Sequence, residues 1–144
     1  MAGKDARDEA LMQSGGDTGR AWLIGVAAWL IPGGGHFLLG RWQRGVLLGG
    51  AVLLMFIVGL LFKGHLYSFG GGDEGASGLL QIPPTVANLG TGVLYLVCWM
   101  LNFGFMEQAK EATYEYGNVF LWVAGLLNYL NMLDAFDISS GRKL

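Results

Sequence analysis

The sequence predicts an all-α integral membrane protein, a helical bundle with three full transmembrane helices and one broken membrane element. Only 14% of the residues are charged, against about 25% in an ordinary soluble domain. Hydrophobic residues make up 53% of the chain, and glycine supplies 25 of its 144 residues. High glycine in an apolar chain is typical of packed membrane helices. The alternating pattern of a β-barrel is missing from the sequence, so helices are the expected way to satisfy the backbone in lipid.

Composition and motifs also exclude several classes of function. A net charge of −2 without a basic run argues against a nucleic-acid partner. Cys98 is the only cysteine, so no internal disulfide can form. No serine falls in an apolar segment, and the common metalloprotease, hydrolase and P-loop motifs are missing from the sequence. We therefore expect a protein that is not an enzyme and has no cofactor and no metal site.

The distribution of charge divides the chain into three parts. Charged residues crowd the first 20 positions, and we expect residues 1–20 to form a disordered cytoplasmic tail. Residues 21–138 form a single membrane domain, and residues 139–144 a short polar tail. No internal repeat is visible in the sequence.

The first membrane element, residues 21–40, is predicted to break in its middle. Its apolar run of 11 residues is too short to cross a bilayer, and Pro32 with the three glycines after it follows directly. Proline costs about 3 kcal/mol inside a helix and each glycine about 1 kcal/mol. The element is either one kinked span or two half-helices that re-enter the membrane, and the residues alone leave both open.

Three later segments are long and apolar enough to be full transmembrane helices, which need about 20 residues each. They are residues 45–62, 86–106 and 119–136. Lys63 and Gly64 suit the end of the first helix, and Asn118 is placed to cap the start of the third. Residues 63–85 between them are glycine-rich and contain Pro83 and Pro84, which predicts a flexible loop.

The positions of lysine and arginine predict the orientation. Whether residues 21–40 span or re-enter, six of the nine cations share one side with the N-terminus. Because cytoplasmic segments carry the excess of lysine and arginine, we expect the N-terminus in the cytoplasm. We expect the membrane to be the bacterial inner membrane.

The most informative stretch is the glycine-rich turn over residues 32–45. Tryptophan between two arginines is typical of a membrane interface, and two arginines there also suit a lipid phosphate. The interpretation is a tight turn between two membrane elements, with a lipid-headgroup or ligand site as the alternative. Its candidate residues are Pro32, Gly33, Gly35, His36, Gly40, Arg41, Trp42, Arg44 and Gly45.

A polar stripe is predicted on the last helix. Asn128, Asn131 and Asp134 are three residues apart and so share one side of an α-helix. An ionisable group inside a membrane usually finds a partner, and His36 is the natural one for Asp134. The stripe serves either helix packing through hydrogen bonds or a path for a proton or an ion.

Two sequence blocks resemble a known family. The segment IPGGGHFLLGRWQRGVLL is similar to the glycine-rich signature of the TM2 domain family. Together with TYEYGNVFLWVAGLLNYLNMLDAFDISSGRK it resembles a bacterial family of small, uncharacterised membrane proteins related to TM2. The resemblance implies a helical membrane fold and no established activity.

These observations favour a non-catalytic accessory or scaffold subunit. A small size, glycine-rich helices and the pair Gly45-x-x-x-Gly49 fit a protein that packs against others. The expected partners are the lipid bilayer and other membrane proteins, or further copies of the chain. The alternative is an ion-path, proton-path or lipid-headgroup-binding protein that uses His36, Arg41, Arg44 and Asp134.

Overall fold

Six α-helices build the described part of the chain, which is residues 2–69, 76–106 and 108–142 of a computed structural model. They are α1 (Ala2–Leu30), α2 (Gly34–Leu38), α3 (Trp42–Leu61), α4 (Ala76–Leu89), α5 (Val93–Met100) and α6 (Tyr114–Ser139). No β-strand occurs within these residues. By length and composition, α3 and α6 can each cross a membrane, and Leu79–Leu89 with Val93–Met100 forms a bent pair that passes the same test.

The central helix of the bundle is α6, which packs against α1, α2, α3 and α4. Its buried residues recur every three or four positions and so form one continuous face: Tyr114, Gly117, Asn118, Leu121, Ala124, Gly125, Asn128, Asn131 and Ala135. Near the end of α3, Gly59 lies against Leu121 and Gly117 of α6, so the two helices are antiparallel. We call the end of the bundle where α3 starts and α6 finishes end A, and the opposite end, end B.

The second half of α1 and the short α2 form a re-entrant hairpin at end A, which we call hairpin A (residues 21–38). The Trp22 ring packs against Phe136 near the end of α6, with ring centroids 5.2 Å apart. Eight residues further into the bundle the chain turns at residues 31–33, named tip A. Helix α2 then runs back beside α1, where Gly35 lies against Ala28 and Ala135. The hairpin enters and leaves at end A, which is the re-entrant form of the predicted broken element.

A second re-entrant hairpin, hairpin B, comes from end B and consists of α4 and α5. Residues 79–89 and 93–100 are bent by 112° at residues 90–92, named tip B. Tip B lies near the middle of α6, where Gly90 packs against Gly125. Returning toward end B, Tyr95 donates a hydrogen bond to the carbonyl of Tyr67, just beyond the end of α3.

The two halves of the chain thus repeat one arrangement in opposite directions. Each half is a re-entrant hairpin followed by a long helix that runs the full length of the bundle. Each tip has three residues and ends in a glycine with positive φ, Gly33 at 81° and Gly92 at 63°. The repeat lies in the path of the backbone and leaves no visible period in the residues.

Apolar packing is divided unequally between the two ends. The larger cluster, toward end B, joins α3, α5 and α6 through Val52, Phe56, Leu66, Tyr95, Cys98, Leu121 and Ala124. The smaller one, toward end A, consists of Ile24, Ala28 and Ala135, with Leu39 and Met132 packed against it. Because the core at end A is small, close backbone approach and polar contacts contribute relatively more to the packing of hairpin A.

Residues 86–106, predicted as one full transmembrane helix, do not form one continuous helix. The chain is helical on both sides of tip B but reverses at Gly90-Thr91-Gly92. The Thr91 hydroxyl donates to the carbonyl of Asn88 at 2.8 Å, a local bond that competes with helix continuation. Gly92 then takes a positive φ that a residue with a Cβ rarely adopts.

Two further segments differ from prediction. Helix α1 begins at Ala2 and covers the segment for which a disordered tail over residues 1–20 was expected. Most of residues 4–13 are good helix formers and Pro32 is the first proline, although Gly15, Gly16 and Gly19 lower the helix propensity of the following turns. Helix α4 begins at Ala76 inside the predicted loop 63–85 and includes Pro83 and Pro84. The missing proline N–H groups leave two carbonyls of the preceding turn without helical donors. Residues 70–75 of that loop, and residues 143–144 of the predicted C-terminal tail, lie outside the described residues.

The other two predicted spans correspond to long helices with shifted ends. The segment 45–62 lies in α3, which starts at Trp42. The segment 119–136 lies in α6, which starts five residues earlier at Tyr114. Asn118 is therefore inside the helix and does not cap it. Its Oδ1 accepts a hydrogen bond from the backbone N–H of His65 at 2.7 Å, which holds the chain after α3 against α6.

Candidate functional site

The two tips meet at Asn128, near the middle of α6. The Asn128 Nδ2 group donates to the carbonyl of Trp29 at 2.8 Å and to that of Gly90 at 2.8 Å. One carbonyl belongs to the last turn of α1 and the other to the break after α4, so both lack the usual i+4 donor. Asn128 is fully buried in the protein. One carboxamide therefore joins both hairpins to the central helix.

Further contacts connect the tips directly. The Trp29 indole Nε1–H donates to the carbonyl of Leu89 at 3.1 Å, across the two hairpins. At Gly92 a Cβ would collide with the carbonyls of Trp29 and Leu30, so only glycine allows this approach. We call this region, where the Trp29 carbonyl of α1 and the Gly90 carbonyl of tip B accept from the Asn128 carboxamide, the junction.

Pro32 and Gly33 create tip A for identifiable reasons. Pro32 has no N–H, so α1 cannot continue its hydrogen-bond ladder through this position. Gly33 has φ of 81° and reverses the chain. The tip rests on α3, where a Cβ on Gly45 or Gly49 would meet the backbone of Gly33 or Pro32. The Gly45-x-x-x-Gly49 pair, expected to pack against another protein, is thus occupied by the chain's own hairpin.

His36 and Asp134, which the sequence suggested as a pair, are in direct contact. His36 Nε2 lies 2.9 Å from Asp134 Oδ2. The His36 side chain is fully buried, while 21% of the Asp134 side chain is exposed. His36 Nδ1 is buried without a hydrogen-bond partner. The pair joins α2 to α6 toward end A, and it can hold one proton between a ring nitrogen and a carboxylate oxygen.

The predicted polar stripe on α6 is present as one face, but its three members have different surroundings. Asn128 is fully buried and reaches the junction, and Asn131 is 3% exposed with its Nδ2 unpartnered. Asp134 faces His36 and is partly exposed. The stripe thus runs from the middle of the bundle toward end A.

The two arginines of the turn lie apart from this buried array. Arg41 is half-buried, while Trp42 and Arg44 are exposed at the start of α3. An open cavity of about 460 Å³ is lined by residues 40–44, and His36 is not among its lining residues. Gly40, at φ of 72°, turns the chain between α2 and α3. The turn thus offers a cationic surface at end A, and the histidine belongs to the interior.

End B carries a feature that the sequence did not indicate. A cavity of about 880 Å³ lies between the start of α4 and α6. Its walls are His65, Leu66, Tyr67, Ser68, Leu80, Gln81, Pro83, Pro84, Phe105 and Trp122. The His65 Nδ1 and Trp122 Nε1 atoms are buried without partners. These side chains come from four separate segments of the chain, so no local spacing could have found them.

The donor atoms of the described residues limit the chemistry of the interior. Across the described ranges, no three histidine, cysteine, aspartate or glutamate side chains come together as metal ligands. The junction instead offers neutral carbonyl and carboxamide oxygens. Oxygen atoms are the ligands that hard cations prefer. Asn88 adds a further buried carboxamide in α4, with neither side-chain atom hydrogen-bonded.

Comparison with known proteins identifies the family. Residues 23–144 match the model of a family described as "Family of unknown function (DUF6677)". The chain belongs to this family. The match begins at the third residue of hairpin A and includes the rest of that hairpin, hairpin B, α3, α6 and the junction. No curated protein and no solved structure shows a significant match to the chain.

Proposed function

We propose that this DUF6677 member is a small, non-catalytic integral membrane protein that assembles with other membrane proteins as an accessory or scaffold subunit. The supporting observation is the first part of α1. Residues 3–13 and 15–20 are helical and exposed, and they extend past the bundle at end A. An isolated helix of this length is marginal in water, so a binding partner would stabilise it. We call this segment the helical arm.

The charges of the described residues support an orientation. If α3 and α6 cross the membrane, six lysines and arginines lie at end A: Lys4, Arg7, Arg20, Arg41, Arg44 and Arg142. Only Lys63 and Lys110 lie at end B. Under the positive-inside rule this distribution favours a cytoplasmic end A, with the arm on that side. From the sequence resemblance, we also propose that the membrane is a bacterial inner membrane and that the chain is related to TM2 domains.

The test is purification of the full chain with its companions in a mild detergent. Ala10→Pro should break the arm, because proline inside a helix costs about 3 kcal/mol. The matched control is Ala10→Glu, at the same exposed position, which keeps the helix. We expect stoichiometric companions with the wild type and the glutamate variant, and their loss with the proline variant. A chain that purifies without companions in all three forms would overturn the proposal.

A second candidate function, an ion or proton path or a lipid-headgroup site, is favoured by one observation. An ionisable pair inside a membrane bundle is costly and often functional, and His36 is fully buried against Asp134. Proteoliposomes with a pH-sensitive dye measure the proton path, with His36→Ala as the test and Leu130→Ala, at an exposed position of α6 outside the polar stripe, as the matched control. Vesicles with and without anionic lipid measure the headgroup site, with Arg41→Gln and Arg44→Gln. Unchanged proton flux and unchanged vesicle binding would exclude this candidate.

A further inference from the structure

The junction brings two main-chain carbonyl oxygens and the Asn128 carboxamide to one buried point. Asn128 Nδ2, an N–H donor, lies 2.8 Å from both the Trp29 and the Gly90 carbonyl oxygens. The partial positive charge of this amide N–H group is what the two carbonyl oxygens accept in the absence of a cation. The carbonyl ends of α1 and α4 also bring negative partial charge to this point.

The second observation is the other half of the same carboxamide. Asn128 Oδ1 is buried and has no hydrogen-bond partner, in a residue that is fully buried. A buried acceptor without a donor is unfavourable by roughly 1–3 kcal/mol. Half a turn of the carboxamide about its last bond exchanges the two atoms. Oδ1 would then face the Trp29 and Gly90 oxygens, and three oxygens around one point are stable only with a cation between them.

We propose that the junction binds one monovalent alkali cation, Na⁺ or K⁺, when the Asn128 carboxamide turns its oxygen toward the two tips. The ligands would be Asn128 Oδ1 and the carbonyl oxygens of Trp29 and Gly90. All three are neutral, so a divalent ion would lack the carboxylates it usually requires. Half-helix ends and unwound carbonyls at the centre of a membrane bundle are a known way to hold such ions.

Binding would connect the two hairpins to α6 through the cation in place of the amide hydrogens. The bound ion therefore stabilises the closed contact between tip A and tip B. This role is independent of the scaffold function, because companions contact the outside of the bundle and the junction is buried.

The experiment is thermal unfolding of the full-length protein in detergent, with NaCl, KCl or choline chloride at constant total salt. Choline is too large for the site and controls for ionic strength. We expect a saturating rise of about 2–6 °C in Tm with NaCl or KCl when either replaces choline. Equal Tm values of the wild type in all three salts would overturn the proposal.

Variants at Asn128 identify the site. Asn128→Asp adds a negative charge, and we expect the cation concentration at half-maximal stabilisation to fall at least about tenfold. Asn128→Leu should remove the response, and Asn131→Leu, one turn further along the same face, should keep it. If Asn128→Leu does not fold, the responses of Asn128→Asp and Asn131→Leu to the cation still test whether Asn128 is the binding site. An unchanged midpoint in Asn128→Asp, or a lost response in Asn131→Leu, contradicts the assignment.

Discussion

Hairpin A and hairpin B share a backbone path, but different interactions hold them. Hairpin B packs its α5 into the larger apolar cluster of the bundle, through Tyr95 and Cys98. Hairpin A has a small apolar cluster and depends on glycine contacts with α3 and on the contact between His36 and Asp134. The comparison shows that one re-entrant shape can be stabilised by apolar burial or by polar and close backbone contacts. At the meeting point of the tips both depend on Asn128.

The largest expected effects come from filling the glycine contacts on which each tip rests. Gly125→Ala should displace hairpin B, because the new methyl group would overlap the Ala87 carbonyl. Gly49→Ala should displace hairpin A in the same way, through the carbonyl of Pro32. Overpacking against backbone cannot relax by a rotamer change, so we expect a loss of about 3 kcal/mol or more in each. Reversible unfolding in detergent measures both.

Gly50→Ala is the matched control for these variants. A Cβ at Gly50 meets nothing within 4 Å, and alanine is the better helix former by about 1 kcal/mol. It should be neutral or stabilising. If Gly49→Ala behaves like Gly50→Ala, tip A does not rest on α3, and the proposed difference between the hairpins fails.

The next effect is the loss of the contact that the hairpins share. Asn128→Leu leaves the Trp29 and Gly90 carbonyls buried without a donor, which should cost about 2–3 kcal/mol. Both tips should loosen together, so hydrogen exchange should increase at 27–33 and at 86–92. The control is Asn131→Leu, which removes a buried amide whose Nδ2 has no partner. Faster exchange at only one tip would show that the junction does not couple the hairpins.

Sequence reasoning foresaw hairpin A far better than hairpin B. Pro32 followed by three glycines is a strong helix-breaking signal, and the scarcity of ionisable groups pointed His36 to Asp134. Tip B has no proline, and two glycines within an apolar window are ordinary in a membrane helix, so residues 86–106 resembled one span. The junction could not be foreseen, because its acceptors are main-chain carbonyls, which have no signature in the sequence.

The third prediction concerns the polar contact specific to hairpin A. We expect His36→Ala and Asp134→Ala to be non-additive, with a coupling free energy of about 1–2 kcal/mol in a double-mutant cycle. The reason is the 2.9 Å contact of a fully buried ring with the carboxylate. Unfolding of the wild type, both single variants and the double variant under one condition gives the coupling. Strict additivity would mean that the contact contributes nothing and that hairpin A is held by its glycine contacts, its small apolar cluster and the Asn128 hydrogen bond.

The smallest effect is expected at the corresponding polar contact of hairpin B. Tyr95→Phe removes one hydrogen bond to the Tyr67 carbonyl and keeps the buried ring, so unfolding should become easier by only about 0.5–1 kcal/mol. Tyr116→Phe, at a residue 65% exposed on α6, is the control and should have no effect. Because the apolar cluster around α5 stays intact, hydrogen exchange in α5 should remain slow in Tyr95→Phe. A loss as large as that from breaking the His36–Asp134 contact would show that hairpin B also depends on its polar contact, and the distinction between the two hairpins would then lie only in the size of their apolar clusters.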